Sequence, residues 1–247
     1  MKRYVLREKT PPSVHEELGA YPELVRDLLH GRGVSTQEEA AAFLVPSYER
    51  DSHDPYLLPD MEKGVERILR GIANNERIAV WSDYDCDGIP GGAMLYDFFK
   101  LIGYENFTNY IPHRHAEGYG INAGGLEKLK EEGVSLVISV DSGITDHAAI
   151  ARGNELGLDI VVTDHHLPST TLPQAYAVIN PKRADNTYPF DGLSGTGVAW
   201  KLVQGILAKN RFGVAQGKEK WLLDLVALAT VADMMPLIGE NRALVHF

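Results

Sequence analysis

The chain predicts an α/β protein: a parallel sheet with helices on both faces, preceded by a small helical segment. Three observations carry that expectation. From residue 77 onward, short apolar, β-rich runs alternate with stretches of helical periodicity over most of the 247 residues, the pattern of a parallel sheet with crossover helices. Three of these runs end on acidic or histidine-bearing segments: Asp83-Tyr84-Asp85-Cys86-Asp87-Gly88, Asp141-Ser142-Gly143 and Asp164-His165-His166. Residues 1–60 lack such runs and carry helix signals instead, so the expected division is 1–60 and 61–247.

The elements follow in order. Ser35-Thr36-Gln37-Glu38 reads as a capping box opening an Ala-rich helix through Leu44, which Pro46 ends. Asp51 to Pro59 reads as a loop. Met61, Val65, Ile68, Leu69 and Ile72 recur at helical spacing and predict an amphipathic helix. Next come a strand to Ser82, a helix over Pro90–Ile102 and a strand over Thr108–Pro112. A loop, His113 to Gly120, leads to a helix from Asn122. A strand to Val140, a helix over Thr145–Leu156 and a strand to Thr163 follow, then a Pro-containing loop and a short strand, Ala177–Asn180. Two helices, Gly197–Lys209 and Lys220–Ala232, come after Pro189. The residues from Asn241 read as the start of another helix, so the sequence is expected to be the first half of a larger protein or a shortened form of one.

Composition narrows the class. Hydrophobic residues at 44% and charged residues at 23% describe a soluble globular protein. No apolar run approaches the ~18 residues of a membrane span, and Met1-Lys2-Arg3-Tyr4-Val5 has no signal-peptide core. The single cysteine, Cys86, excludes an internal disulfide framework, and a cytoplasmic location is expected. A net charge of −10 weighs against a broad polyanion grip. Any nucleic acid must be held by a few placed Arg and Lys, by metals, or by a further domain.

If the three strand ends lie side by side, one sheet edge carries up to five Asp and two His. Ligands bind at that edge in parallel sheets. Clustered carboxylates repel one another unless cations neutralise them, and carboxylate with imidazole suits Mn2+, or Mg2+ with less use of the histidine. The residues therefore point to a metal-dependent hydrolase. Asp85 and Asp87, two apart, can converge on a cation, with Gly88 allowing a tight turn into the next helix. An Asp-rich capping turn is the other reading of that segment, and the distant Glu of a calcium loop is missing. Asp141-Ser142-Gly143 reads as a ligand segment or a helix cap. In Asp164-His165-His166 one histidine can hold a metal while an Asp fixes its tautomer, and the other can meet phosphate. Asp233 closes an apolar helix as a ligand or as a solvent-facing end. His113, His115 and His147 read as surface residues, and Cys86 as part of a pocket wall.

Taken together, in this order and spacing, these segments resemble the DHH phosphoesterase superfamily and, within it, the RecJ-type single-strand exonucleases. Asp164-His165-His166 is the family's name-giving triplet. Further matches are Arg32-Gly33-Val34 with Phe43-Leu44, Ile111-Pro112-His113-Arg114 with Gly118-Tyr119-Gly120, Asn180-Pro181-Lys182-Arg183 and Gly195-Thr196-Gly197-Val198-Ala199-Trp200-Lys201.

The resemblance implies metal ligands at Asp85, Asp87, Asp141, His165 and Asp233, with Asp141 bridging two Mn2+ or Mg2+ ions. It implies that Asp83 and Asp164 orient ligands, that His166 faces the scissile phosphate, and that Arg114 and Gly118-Tyr119-Gly120 seat the substrate. Trp81 stands where many relatives have a histidine ligand, so Asp83 or water is expected to complete one ion's shell. The implied activity is two-metal hydrolysis of single-stranded DNA from the 5′ end in recombination and repair, with other repair proteins as partners. The alternative is a phosphodiesterase or phosphatase acting on oligoribonucleotides, cyclic dinucleotides or pyrophosphate. A third reading, a non-enzymatic scaffold, does not need five mutually repelling ligands. The family's C-terminal DHHA1 domain and oligonucleotide-binding module are expected to lie outside this sequence.

Overall fold

A computed structural model describes residues 9–247; residues 1–8, and with them the N-terminal stretch Met1 to Val5, lie outside the described residues. The chain divides into two compact units, the first ending at Ser52 and the second spanning His53–Phe247.

Four short helices build the first unit: α1 (Pro12–Glu17), α2 (Glu23–His30), α3 (Gln37–Leu44) and α4 (Tyr48–Asp51). Leu18, Leu29, Val34 and Ala40 form its core. The capping box lies one residue later than the sequence reading placed it. Thr36 Oγ1 accepts from Glu39 N and the Glu39 carboxylate accepts from Thr36 N, because Glu39 rather than Glu38 stands three residues beyond the cap. Helix α4 was not expected; Ser47 caps it by accepting from Arg50 N.

In the second unit, α5 (Met61–Ala73) leads into β1 (Arg77–Ser82), α6 (Gly88–Leu101) and β2 (Phe107–Tyr110). Then come α7 (Ala123–Glu131), β3 (Val134–Val140), α8 (His147–Glu155), β4 (Asp159–Thr163), β5 (Ala177–Ile179), α9 (Gly195–Lys209), α10 (Leu223–Ala232) and α11 (Gly239–His246). Residues 53–60, read from sequence with the N-terminal segment, belong to this unit. Tyr56 Oη donates to Gly205 O, Leu58 is buried, and Asp60 pairs with Arg183.

The sheet runs β2-β1-β3-β4-β5, all parallel. Its strands alternate between two buried faces. Ala79, Trp81, Val137, Ile160 and Val162 pack with Leu126, Leu129 and Ile150 on the α7–α8 side. Ile78 and Leu136 approach Gly71 of α5, and Val140 approaches Gly91 of α6, on the other. Near-continuous apolar strands are what burial on both faces requires. Chain order reverses between β1 and β3, which makes their C-terminal ends a topological switch point.

Candidate metal centre

Sheet hydrogen bonding carries one residue past each of three strands. Asp83 N donates to Val140 O at 3.3 Å, Asp141 N to Thr163 O at 3.0 Å and Asp164 N to Ile179 O at 3.1 Å. The ladder thus lines up Asp83, Asp141 and Asp164 along the C-terminal edge, each about 1% exposed. Asp141 occupies this corner at φ 59°, a left-handed conformation rare outside Gly and Asn and often found at functional sites. Ser139 Oγ, donating to Ser142 O at 2.7 Å, braces the turn.

The segment after β1 folds back on itself. Asp85 Oδ1 accepts from Asp87 N and Gly88 N at 2.8 and 2.9 Å, so α6 opens at Gly88 rather than Pro90. The reason expected for Gly88 is corrected. Its φ is not positive; it is glycine because a Cβ would lie 2.6 Å from Asp83 O. Asp87, fully buried, caps α9 from a distance: its carboxylate accepts from Gly195 N at 2.6 Å and Thr196 N at 2.8 Å. Helix N-termini favour anions, and Ser194, accepting from Gly197 N, starts that helix two residues earlier than expected. Gly195 has no room for a side chain, since a Cβ would meet Asp141 Cβ at 2.5 Å.

His165 and His166 are held differently. His165 Nδ1 lies 3.1 Å from Leu193 O. A carbonyl only accepts, so Nδ1 carries a proton, which leaves Nε2 as the ring atom able to meet a cation. That atom faces Asp141 Oδ1 at 3.2 Å, Asp87 Oδ2 at 3.6 Å and Asp233 Oδ2 at 3.7 Å. Asp164 Oδ1 accepts from His165 N, His166 N and His166 Nδ1, while Oδ2 accepts from Ile144 N. Burial alone would push the Asp164 carboxyl up, but His166 and these backbone donors hold it below the usual range. The same bond to Asp164 raises His166 above the ordinary imidazole value.

The remaining carboxylates have few donors. Both Asp83 oxygens and Asp141 Oδ1 are buried without a hydrogen-bond partner. Burial, then the charges of Asp87, Asp164 and Asp85, pushes Asp141 up to about 10; burial also raises Asp83 and Asp233. Bare carboxylates ~4 Å apart repel by about 4 kcal/mol each at an effective dielectric of 20. Ligand atoms of Asp87, His165 and Asp233 converge within 4.8 Å of one another, as do those of Asp83, Asp85 and Asp141. Asp141 lies in the second set and beside the His165 Nε2 of the first. Orphaned buried oxygens and a mixed carboxylate–imidazole set fit two divalent cations.

Trp81 contributes no ligand: it is fully buried and stacked on Tyr110 at 4.4 Å. The glycine loop borders the centre. Gly118 and Gly120, at φ 81° and 79°, turn Tyr119 so that its Oη lies 3.3 Å from Asp141 O. The Arg114 guanidinium stacks over Tyr84 at 4.4 Å, and Tyr84 and His166 each meet the Tyr119 ring edge-on. His113, His115 and His147 enter none of the candidate metal groups among the described residues. Three participants were not singled out from sequence: the Leu193 carbonyl, Ser194 and Tyr84; Asn180, quoted only as part of a matching motif, donates through Nδ2 to His166 O at 2.9 Å. Only Ser194 had a readable signal, a helix cap three residues before Gly197.

An open parallel α/β sheet whose switch point gathers unpartnered carboxylates around one imidazole defines a cation-site protein of the strand-edge type. The DHH family N-terminal domain matches residues 77–230, and the chain belongs to that family. It is 40% identical over 231 residues to the single-stranded-DNA-specific exonuclease RecJ of Bacillus subtilis (strain 168), covering 93% of this chain and 28% of that protein. A crystal structure of exonuclease RecJ bound to manganese superposes with a TM-score of 0.67 at 33% identity, covering 76% of this chain and 46% of the other. RecJ from Thermus thermophilus in complex with Mn2+ gives 0.75 at 27% identity, covering 96% and 33%. The chain therefore spans less than half the length of each of these relatives.

Proposed function

We propose that this chain carries the catalytic core of a two-metal phosphodiesterase, a RecJ-type exonuclease acting on single-stranded DNA 5′→3′ in recombination and repair. The observation that carries the reading is His165 Nε2 facing three carboxylate oxygens. Carboxylate oxygens gathered this closely need a proton or a metal cation among them. Similarity to RecJ proteins, two with manganese in their structures, supports the metal and the substrate class.

In this reading Asp87, His165 and Asp233 hold one Mn2+ or Mg2+, Asp83 and Asp85 hold another, and Asp141 serves both. When bound, such ions would supply charge neutralisation at the phosphate and a water of lowered pKa. The chain's own groups do the rest. Asp164 fixes the His166 ring through Nδ1 and raises its basicity, so the other ring nitrogen is placed to offer an N–H where charge develops on the phosphate. Arg114, stacked on Tyr84, and Tyr119 with its flanking Gly118 and Gly120 seat the strand. The unit spanning His53–Phe247 carries the chemistry and the helical unit ending at Ser52 is separate from it, with the whole acting in the cytoplasm. No helix among the described residues is long and apolar enough to cross a membrane.

The test offers 5′- and 3′-labelled single-stranded DNA, oligoribonucleotide and pyrophosphate with Mn2+. The expected result is slow, distributive release of 5′-nucleotides from single-stranded DNA. It should fall as salt rises, because contacts to the phosphates release counterions. Preferred cleavage of pyrophosphate or dinucleotides would move the protein to a small-substrate phosphoesterase.

A further inference from the structure

We propose that Asn241 is a positioning residue that sets Asp233 against the His165–Asp87 side of the centre; this rests on the two-ion reading above. Asn241 is fully buried in the first turn of α11. Its single amide nitrogen donates to Gly192 O at 2.6 Å and to Pro236 O at 3.1 Å.

Each acceptor belongs to a ligand-bearing segment. Gly192 precedes Leu193, whose carbonyl fixes the His165 tautomer, and Gly195 and Thr196 beyond it hold Asp87. Pro236 lies three residues past Asp233, in the short link between α10 and α11. Unlike Asp87 and Asp164, the Asp233 carboxylate receives no N–H among the described residues, and its side chain is 31% exposed. Its place is therefore set by the backbone around it. That backbone turns at Met234, φ 57°, and Met235 N returns to Thr230 O. Gly192 and Pro236 also stand close, since a Cβ on Gly192 would lie 3.2 Å from Pro236 Cγ. One side-chain amide thus joins two segments remote in sequence that supply opposite sides of one cation group. Partners of this kind, which orient ligands without touching metal, typically change metal affinity by about 10- to 100-fold.

The test is Mn2+ titration calorimetry on the full chain as wild type, Asn241→Leu, Asn241→Asp, Asp233→Asn and Asn241→Leu/Asp233→Asn, with circular dichroism and metal-free melts alongside. Leu matches Asn in bulk and removes both donors; Asp keeps the shape but turns a carboxylate toward two carbonyls. The expected result is a loss of about 10-fold or more at one of two sites. The other site should be unchanged, and there should be no further loss when Asn241→Leu is added to Asp233→Asn. Asn241→Asp carries the test should the Leu variant not fold. Unchanged Mn2+ affinity with a lowered melting temperature would make Asn241 merely structural and overturn the proposal, as would losses that add in full. Absence of Mn2+ binding by the wild type would instead overturn the two-ion reading on which it stands.

Discussion

Two buried charged groups in this fold are built on opposite plans. Lys201 and Glu240, both fully buried, satisfy each other. Lys201 Nζ also donates to His53 O, while Glu240 accepts from His53 N and Tyr188 Oη. Burial pushes the Lys201 ammonium below its usual range and Glu240 pulls it back up. The strand-edge cluster has no such closure. Asp83 and Asp141 are equally buried, yet three of their oxygens find no hydrogen-bond donor, and His165 Nε2 and His166 Nδ1 both face Asp141 Oδ1. A buried charge that exists to hold the fold is paired from within the chain. One left unpaired is paired from outside it.

The comparison breaks most sharply at the closed pair. Lys201→Met should cost about 3–5 kcal/mol by stranding Glu240, roughly 6–20 °C in melting temperature for a chain of this size. Lys201→Met/Glu240→Leu should recover much of that loss. Chemical denaturation checks both, and equal losses in the single and double variants would show that the pair is not a self-contained unit.

His166 sharpens the other side. Its Nδ1 is committed to Asp164, so His166→Ala should leave Mn2+ affinity in place while lowering turnover about 10²- to 10³-fold. Loss of metal in that variant, with retention in His165→Ala, would exchange the two roles.

A smaller effect lies in the pH dependence of the metal-free protein. Asp141, pushed up to about 10 in the native state against roughly 3.9 unfolded, binds its proton more tightly when folded. Its contribution to stability is fully present below the unfolded value and is lost as pH rises toward 10. The melting temperature of metal-free wild type, relative to Asp141→Asn, should therefore fall between pH 5 and 9. Added Mn2+ should reverse the trend, because the metal takes the deprotonated carboxylate and binds more tightly as pH rises. A wild-type-minus-variant difference that is flat with pH would remove Asp141 from the buried cluster.

Much of this was legible in the sequence because the signals are local. Apolar runs over Ile78–Trp81, Leu136–Val140 and Ile160–Thr163 marked the central strands, and the carboxylates and imidazoles stood at their ends. Helix starts slipped by one or two residues even where the caps, Thr36, Asp85 and Ser194, are local. At α9 the Ser194 cap is local, but the Asp87 carboxylate that also receives its first N–H groups comes from more than a hundred residues earlier. Backbone contributions stayed hidden for the same reason. Any residue can offer the Leu193 carbonyl, and nothing around it announces that it fixes a histidine tautomer. Gly88 was read as allowing a tight turn into the helix, as it does; that crowding by Asp83 is what requires glycine there is visible only in three dimensions.

The central claim is that the unpaired carboxylates at the strand edge are paired by two divalent cations meeting at Asp141. Its most direct test is Mn2+ titration of wild type and Asp141→Asn, with bound metal counted after gel filtration. The account predicts two ions per wild-type chain, severe weakening of both in the variant, and no detectable hydrolysis. Full Mn2+ occupancy with normal turnover in Asp141→Asn, or no specific Mn2+ binding by wild type, would contradict it.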